Sequence, residues 1–212
     1  MLKPDQIRVV ILGQDPYYAE TNLTPQANGI AFDVNPGTKI PPSLRNVRKE
    51  LKRVYPDAVG DLTRWVEQGV FMLNTFLTVI KDKPGNHRLI WERFTDHIIQ
   101  IISNFPKVIF VLWGKHAERS FGSKKSTQNR VLITSHPSPL SCTKTDTPFL
   151  GSDIFKRIND LLQSPRLLKH LVTLMNNMIK YRSCMRRSND VRLTGARPQR
   201  LIFTLSSFCK IL

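Results

Sequence analysis

The chain has 212 residues, with 32 Lys and Arg against 16 Asp and Glu, and a formal net charge of +16 at pH 7. That length fits one α/β domain with an appendage and suffices for a sizeable core, and the charge points to a polyanionic partner, nucleic acid or an acidic membrane surface. No apolar run approaches the roughly 18 residues of a membrane span, Lys3, Pro4 and Asp5 precede only a short apolar run where a secretory signal would need a longer one, and the three cysteines, Cys142, Cys184 and Cys209, lack metal-ligand spacing and fit free thiols in a reducing compartment better than a disulfide framework.

The first strand is predicted over Arg8–Leu12, where Val9-Val10-Ile11-Leu12 is apolar on both faces, as in a buried parallel strand. It stops at Gly13 and is followed by Gln14, Asp15, Pro16, Tyr17 and Tyr18. Open α/β sheets build their sites at the carboxyl ends of strands, so Asp15 stands where a catalytic carboxylate would stand; an Asx-type turn is the plainer alternative. Next comes a stiff Pro41-Pro42-Ser43 loop, with Ser43 capping a helix from Leu44 to about Val54 that carries Leu44, Val47, Leu51 and Val54 on one face. A short helix fits Leu62–Gln68, ended by Gly69. A strand over Val70–Leu73 leads to Asn74, and a helix from about Leu89 to Ser103 turns Ile98, Ile101 and Ile102 inward. A strand over Val108–Trp113, a helix after Gly114, a strand over Val131–Thr134 and a helix over Asp153–Leu162 complete the series. The alternation predicts an α/β fold, a three-layer sandwich around a central four-stranded parallel sheet.

Three of these strands end in chemistry: Gln14-Asp15, Asn74, and the run Ser135 to Ser141 that contains His136. In a parallel sheet those ends share one edge, so an acid, an amide and an imidazole can converge on one pocket. Singly, each has a bland reading, since a buried Asn usually satisfies backbone and a lone His is more often structural. The loops Pro41-Pro42-Ser43 and Pro137-Ser138-Pro139-Leu140-Ser141 combine low conformational freedom with hydroxyls and amides that can hold phosphate oxygens. Leu140 has the form of an apolar wedge for a base stack, or is a single buried leucine in a rigid connection.

Together the segments GQDPYY (13–18), GIAF (29–32), PPSL (41–44), GDLTRWVEQGVFMLNTFLTV (60–79), VIFVLWG (108–114) and HPSPLS (136–141) resemble the family-1 uracil-DNA glycosylases, in the family's order and near its spacing, over roughly residues 5–163. The resemblance implies an enzyme that flips a deoxyuridine out of DNA and hydrolyses its N-glycosidic bond, the first step of base-excision repair. It implies that Asp15 stabilises the sugar cation and acts on the attacking water, and that neutral His136 donates to uracil O2. It implies that Asn74 reads N3–H and O4, that Phe32 stacks on the base, that Tyr17 excludes a C5 methyl, and that Gln14 belongs to the substrate pocket. Pro41, Pro42, Ser43, Ser138, Pro139 and Ser141 would lie along the DNA backbone, with Leu140 filling the gap left by the flipped nucleotide. The implied partner is uracil-containing DNA, single- or double-stranded, with proteinaceous glycosylase inhibitors as a further class. No metal, organic cofactor or membrane is implied. A monomer is expected, in the nucleus or mitochondrion of a eukaryote or the cytoplasm of a bacterium.

The chain departs from the family pattern at Tyr18, where His is usual, in a longer segment between Tyr18 and Gly29, and in a longer CTKTDTPFLG turn after Ser141. It begins almost at the first strand, where the family has helices, so apolar surface near that strand is expected to be exposed unless the C-terminal tail covers it. Residues 164–212 form an atypical tail with ten Lys and Arg and one acid, and Leu167–Tyr181 has the spacing of an amphipathic helix. Two rivals stand beside the enzyme reading: a non-catalytic or weakly active truncated isoform that binds DNA, and an α/β hydrolase of free nucleosides.

Overall fold

Four short apolar runs make the sheet. In the computed structural model, which describes residues 2–122 and 129–163, they are β1 (Val9–Gly13), β4 (Val70–Asn74), β5 (Ile109–Trp113) and β6 (Arg130–Thr134). They pair in parallel in the order β4-β1-β5-β6, with Val9 opposite both Val70 and Ile109. β1 and β5 are buried at every position, as strands flanked on both faces must be. Among the strands edge strand β4 is half-buried, at Val70, Phe71 and Leu73, while Ile133 of β6 is exposed; the tail expected as a substitute cover lies outside the described residues.

Helices run between the strands: α1 (Pro42–Val54), α2 (Leu62–Glu67), α3 (Arg88–Ser103), α4 (Lys115–Phe121) and α5 (Ile154–Gln163). One face of the sheet packs Val10, Leu12, Phe110 and Leu112 against Ile99 and Ile102 of α3 and Ala117 and Phe121 of α4. On the other face Trp113 meets Phe149 and Phe155 edge-on, with ring centroids 5.2 and 6.4 Å apart. Within α3 the inward positions are Thr95, Ile99, Ile102 and Ser103. Ile98 is half-buried, and Ile101, expected inward, is exposed because it falls about 100° round the helix from Ile102.

α1 also begins earlier than predicted. Pro42 occupies its first turn, where a missing N–H costs nothing, and Pro41 is the N-cap, so Ser43 is not the cap but lies inside the helix. Glu50 on this helix is fully buried and paired: it accepts from Gly151 N (2.8 Å) and Asp153 N (3.0 Å) and pairs with Arg53. Those bonds tie α1 to the segment before α5.

A two-stranded hairpin, β2 (Glu20–Thr21) and β3 (Thr24–Pro25), stands outside the sheet. Its turn residues Asn22 and Leu23 both have positive φ, 49° and 62°, the conformation of a two-residue primed turn. Asn tolerates it; a leucine there costs about 1–2 kcal/mol.

The chain divides into two units between Ile158 and Asn159, and of the second only the last residues of α5 are described. The helix expected over Leu167–Tyr181 lies outside the described residues. No described helix is long and apolar enough to cross a membrane.

Candidate active site

β1 and β4 end in register, Gly13 opposite Asn74. The Asn74 side chain can lie where it does only because Gly13 has no side chain: a Cβ there would lie 2.2 Å from Asn74 Oδ1. The Asn74 amide thus lies across the end of β1, and no hydrogen bond to another described residue occupies it. Immediately beyond, Thr75 N and Phe76 N donate to Gly13 O (3.0 Å) and Gln14 O (2.9 Å), locking the two strand ends together.

Asp15 is half-buried on this platform. Its Oδ2 accepts from Gly85 N (3.0 Å) and Gln14 Nε2 (2.8 Å). Its Oδ1 is buried and has no protein hydrogen-bond partner. One oxygen is therefore clamped, and the other keeps its lone pairs for an incoming proton. The clamp comes from 70 residues away, from a loop in which Gly85 adopts φ 77°. Gln14, expected in the pocket, places its amide on Asp15 instead of leaving it free.

Beneath Asp15 lies a second imidazole that sequence reading passed over. His116 Nε2 is 2.7 Å from Thr75 Oγ1 and 3.3 Å from Ser120 Oγ, with Phe76 edge-on at 5.3 Å. Burial holds its pKa below the ordinary histidine value, and the nearby charge of Asp15 opposes that shift.

His136 enters from the end of β6. Gly114 N donates to Thr134 O (2.8 Å), and a Cβ on Gly114 would lie 2.8 Å from His136 Cβ, so the two loops touch only because position 114 is glycine with φ 89°. Ser138 N donates to His136 Nδ1 (3.1 Å). An Nδ1 that accepts is unprotonated, so the neutral ring carries its proton on Nε2. Burial, with a smaller contribution from His116, keeps the pKa of His136 below the ordinary range.

Aromatic walls surround these groups. Phe32 is buried with φ 67°, and its ring lies 5.0 Å from Trp113 and 5.7 Å from His136. Tyr17 is half-buried; desolvation first and the charge of Asp33 second push its pKa up to about 12, against a hydrogen bond to the Ser43 side chain. Tyr18 is exposed.

The loop after His136 is tightly braced yet presents its leucine outward. Ser141 Oγ donates to His136 O (2.9 Å), Ser138 Oγ and Ser141 Oγ are 3.3 Å apart, and Ser141 N and Cys142 N donate to Ser138 O. Asn46 Nδ2 of α1 donates to Pro137 O (2.8 Å). Pro139 is exposed and Leu140 is 82% exposed. On the other rim Pro41 is buried and Pro42 exposed, with Ser43 half-buried. No three His, Cys, Asp or Glu side chains among the described residues form a metal-binding group.

Residues 1–163 match the family model described as the uracil DNA glycosylase superfamily. The chain is 44% identical over 164 residues to a uracil-DNA glycosylase of Azotobacter vinelandii, covering 75% of this chain and 68% of that protein. It is 47% identical over 169 residues to one of Francisella philomiragia, covering 77% and 74%. Among solved structures, mimivirus uracil-DNA glycosylase superposes with a TM-score of 0.73 at 34% identity, over 77% of this chain and 67% of the other. A variant of the same viral protein, in complex with UGI, superposes with a TM-score of 0.71 at 33% identity, over 78% and 68%.

Proposed function

Since the chain belongs to the uracil DNA glycosylase superfamily, we propose that the edge formed by Asp15, Asn74 and His136 is the site at which it excises uracil from DNA. The activity is hydrolysis of the N-glycosidic bond of deoxyuridine, which opens base-excision repair. The observation that carries the assignment of residues is the asymmetry of Asp15, one oxygen doubly clamped and the other buried with its lone pairs unused.

The chemistry follows from that asymmetry. The reacting bond is inaccessible in the base stack, so the nucleotide must leave it. As the bond from C1′ to N1 breaks, the sugar gains cationic character and the base becomes an anion. Asp15 supplies negative charge beside the cation, and Oδ1 accepts a proton from the water that adds to C1′. His136, neutral and protonated on Nε2, donates to uracil O2, so a donor already in position meets the developing charge. A neutral donor keeps the fixed carboxylate of Asp15 from being offset by a nearby cation.

Recognition rests on groups the fold leaves unused. The Asn74 amide accepts from N3–H and donates to O4, a pattern cytosine does not present. A mismatched base would leave buried polar atoms unpaired. Phe32 lies against the face of the base, and Tyr17 closes the space beside C5. Ser43, Ser138 and Ser141, with Pro42 and Pro139, meet the phosphodiester backbone; Pro41, expected beside them, is buried and supports the loop from beneath. Leu140 takes the place of the flipped nucleotide. The chain acts as a monomer on single or double strands, and an inhibitor such as UGI, found with the viral relative, would compete for this same rim.

The test is release of uracil from a defined oligonucleotide by the full chain and by Asp15→Asn. Release by the wild type and its near-abolition in the variant is the expected result; equal release by both would remove Asp15 from the reaction, and none from the wild type would overturn the activity.

A further inference from the structure

We propose that the β2–β3 hairpin is a second apolar contact with DNA, in which Leu23 at its tip rests against the duplex beside the flipped nucleotide. The inference rests on the reading of this edge as the DNA-facing one.

Three observations carry it. First, Leu23 is 90% exposed, more than Leu140 at 82%, so it supports no core. Second, its backbone is in the left-handed region at φ 62°, directly after Asn22 at 49°. A two-residue primed turn is best served by Asn-Gly. Here the second position holds a bulky apolar residue that is strained and solvated at once, with no compensating contact inside the fold, and such strain concentrates at ligand-contacting sites.

Third, the hairpin is fastened to the rim already described. It follows Asp15, Tyr17 and Tyr18 out of β1, and its base is closed by Gln26 N donating to Ala19 O (2.8 Å). Asn35 N then donates to Gln26 O (2.8 Å), Asn35 Nδ2 donates to Pro25 O (2.8 Å) and Ala27 O (3.0 Å), and Gln26 Nε2 bonds Lys39 O. Lys39 leads directly into Pro41-Pro42-Ser43. The tip is thus carried by the same braced segment that presents the phosphate-facing loop. Tyr18, Leu23, Ile40 and Leu140, all exposed, stand on loops at this carboxyl edge, as does Ile80 on the loop after β4.

The occupant is DNA because the hairpin continues a DNA-facing rim of a chain with net charge +16, which a polyanion approaches readily. The hairpin itself carries one charge, Glu20, so its contact is apolar and not a phosphate clamp.

Leu23→Gly separates this role from a structural one. It installs the turn residue the backbone prefers, so the variant should unfold at the same temperature as the wild type or higher. Its kcat/KM for a uracil-containing duplex, relative to that for the same single strand, should fall about tenfold. The dependence of duplex affinity on salt should keep its slope, since no charge is removed. Leu23→Asn, also at ease with positive φ, should behave alike. A duplex-to-single-strand ratio equal to that of the wild type in both variants would overturn the inference. So would an equal loss on both substrates, which would mean a distorted pocket. Leu140→Ala in the same assay keeps the two readings apart. If it loses duplex activity while the Leu23 variants do not, the hairpin contact alone fails. If the wild type releases no uracil from either substrate, the function itself is wrong and this inference falls with it.

Discussion

Replacing Gly13 by alanine should abolish most uracil recognition without touching the base. Gly13 is a strand residue whose added Cβ would lie 2.2 Å from Asn74 Oδ1 and 3.1 Å from Ala31 Cβ. The Ala31 contact needs a shift of a few tenths of an ångström, and the Asn74 contact cannot persist. The amide must swing away, because the end of a side chain yields more easily than a strand paired on both sides. The cost to stability is that of mild overpacking, about 1–2 kcal/mol. The cost to catalysis is larger. Two hydrogen bonds to uracil are lost, with the polar groups of the base left unpaired at about 1.5 kcal/mol each. About 3 kcal/mol is roughly a 150-fold fall in kcat/KM. Uracil release from a single-stranded oligonucleotide, with thermal unfolding in parallel, measures both. The decisive comparison is with Asn74→Ala: if the alanine at 13 acts only through the amide, the double variant should be no worse than Asn74→Ala alone. Losses that multiply, or a Gly13→Ala variant within a few-fold of wild type, would refute this account of how Asn74 is held.

Asp15→Asn should lower excision at least about a hundredfold while binding to uracil-containing DNA stays within a few-fold, because the carboxylate acts on charge present mainly in the transition state; matched turnover and binding assays decide this. His136→Ala should lose roughly 3 kcal/mol of transition-state stabilisation. In the wild type the neutral ring persists below its ordinary pKa of 6.5, since burial depresses it. The His136-dependent part of kcat/KM should therefore hold level as pH falls from 8 to 6.5 and decline only below, and a decline centred at or above 6.5 would contradict it. Tyr17→Ala should create weak release of thymine, measured as free base from thymine-containing oligonucleotides. Leu140→Ala should weaken excision from duplex more than from single strands, because only the duplex has a stacked gap to fill.

The sheet was readable because its strands announce themselves. Val9–Leu12 and Val108–Trp113 are continuous apolar runs that each follow a basic residue and stop at a glycine, and the burial they imply is what β1 and β5 show. Asp15, Asn74 and His136 could be placed on one edge because parallel topology aligns strand ends. What escaped depends on contacts with no periodicity. The hairpin gave no turn signal, since Leu23 stands where glycine would mark a primed turn. Gly85 donates to Asp15 through its backbone N–H, which leaves no trace in side-chain identity. His116 reads as one polar residue on a short helix until Thr75, brought in from β4's end, meets it. Ser43 has the identity of a cap, but two prolines ahead of it move the helix start forward. Glu50 carries a charge where burial is least expected, and beside Arg53 it takes two amides of a loop a hundred residues away to explain it.

Helix α1 acts as a ruler. Asn46 and Glu50 stand along it four residues apart, Asn46 gripping the carbonyl of Pro137 and Glu50 the amides of Gly151 and Asp153, while Ser43 opens the helix beside the first proline–serine loop. The spacing between the two proline–serine jaws is thereby set by the pitch of a helix and not by hinged loops. Under the proposed function, a spacing set by a helix does not adjust to the DNA, so the substrate is expected to do the adjusting. Uracil release should then be faster from duplexes whose sequence around the uracil bends easily than from stiff ones, with no change in any base contact.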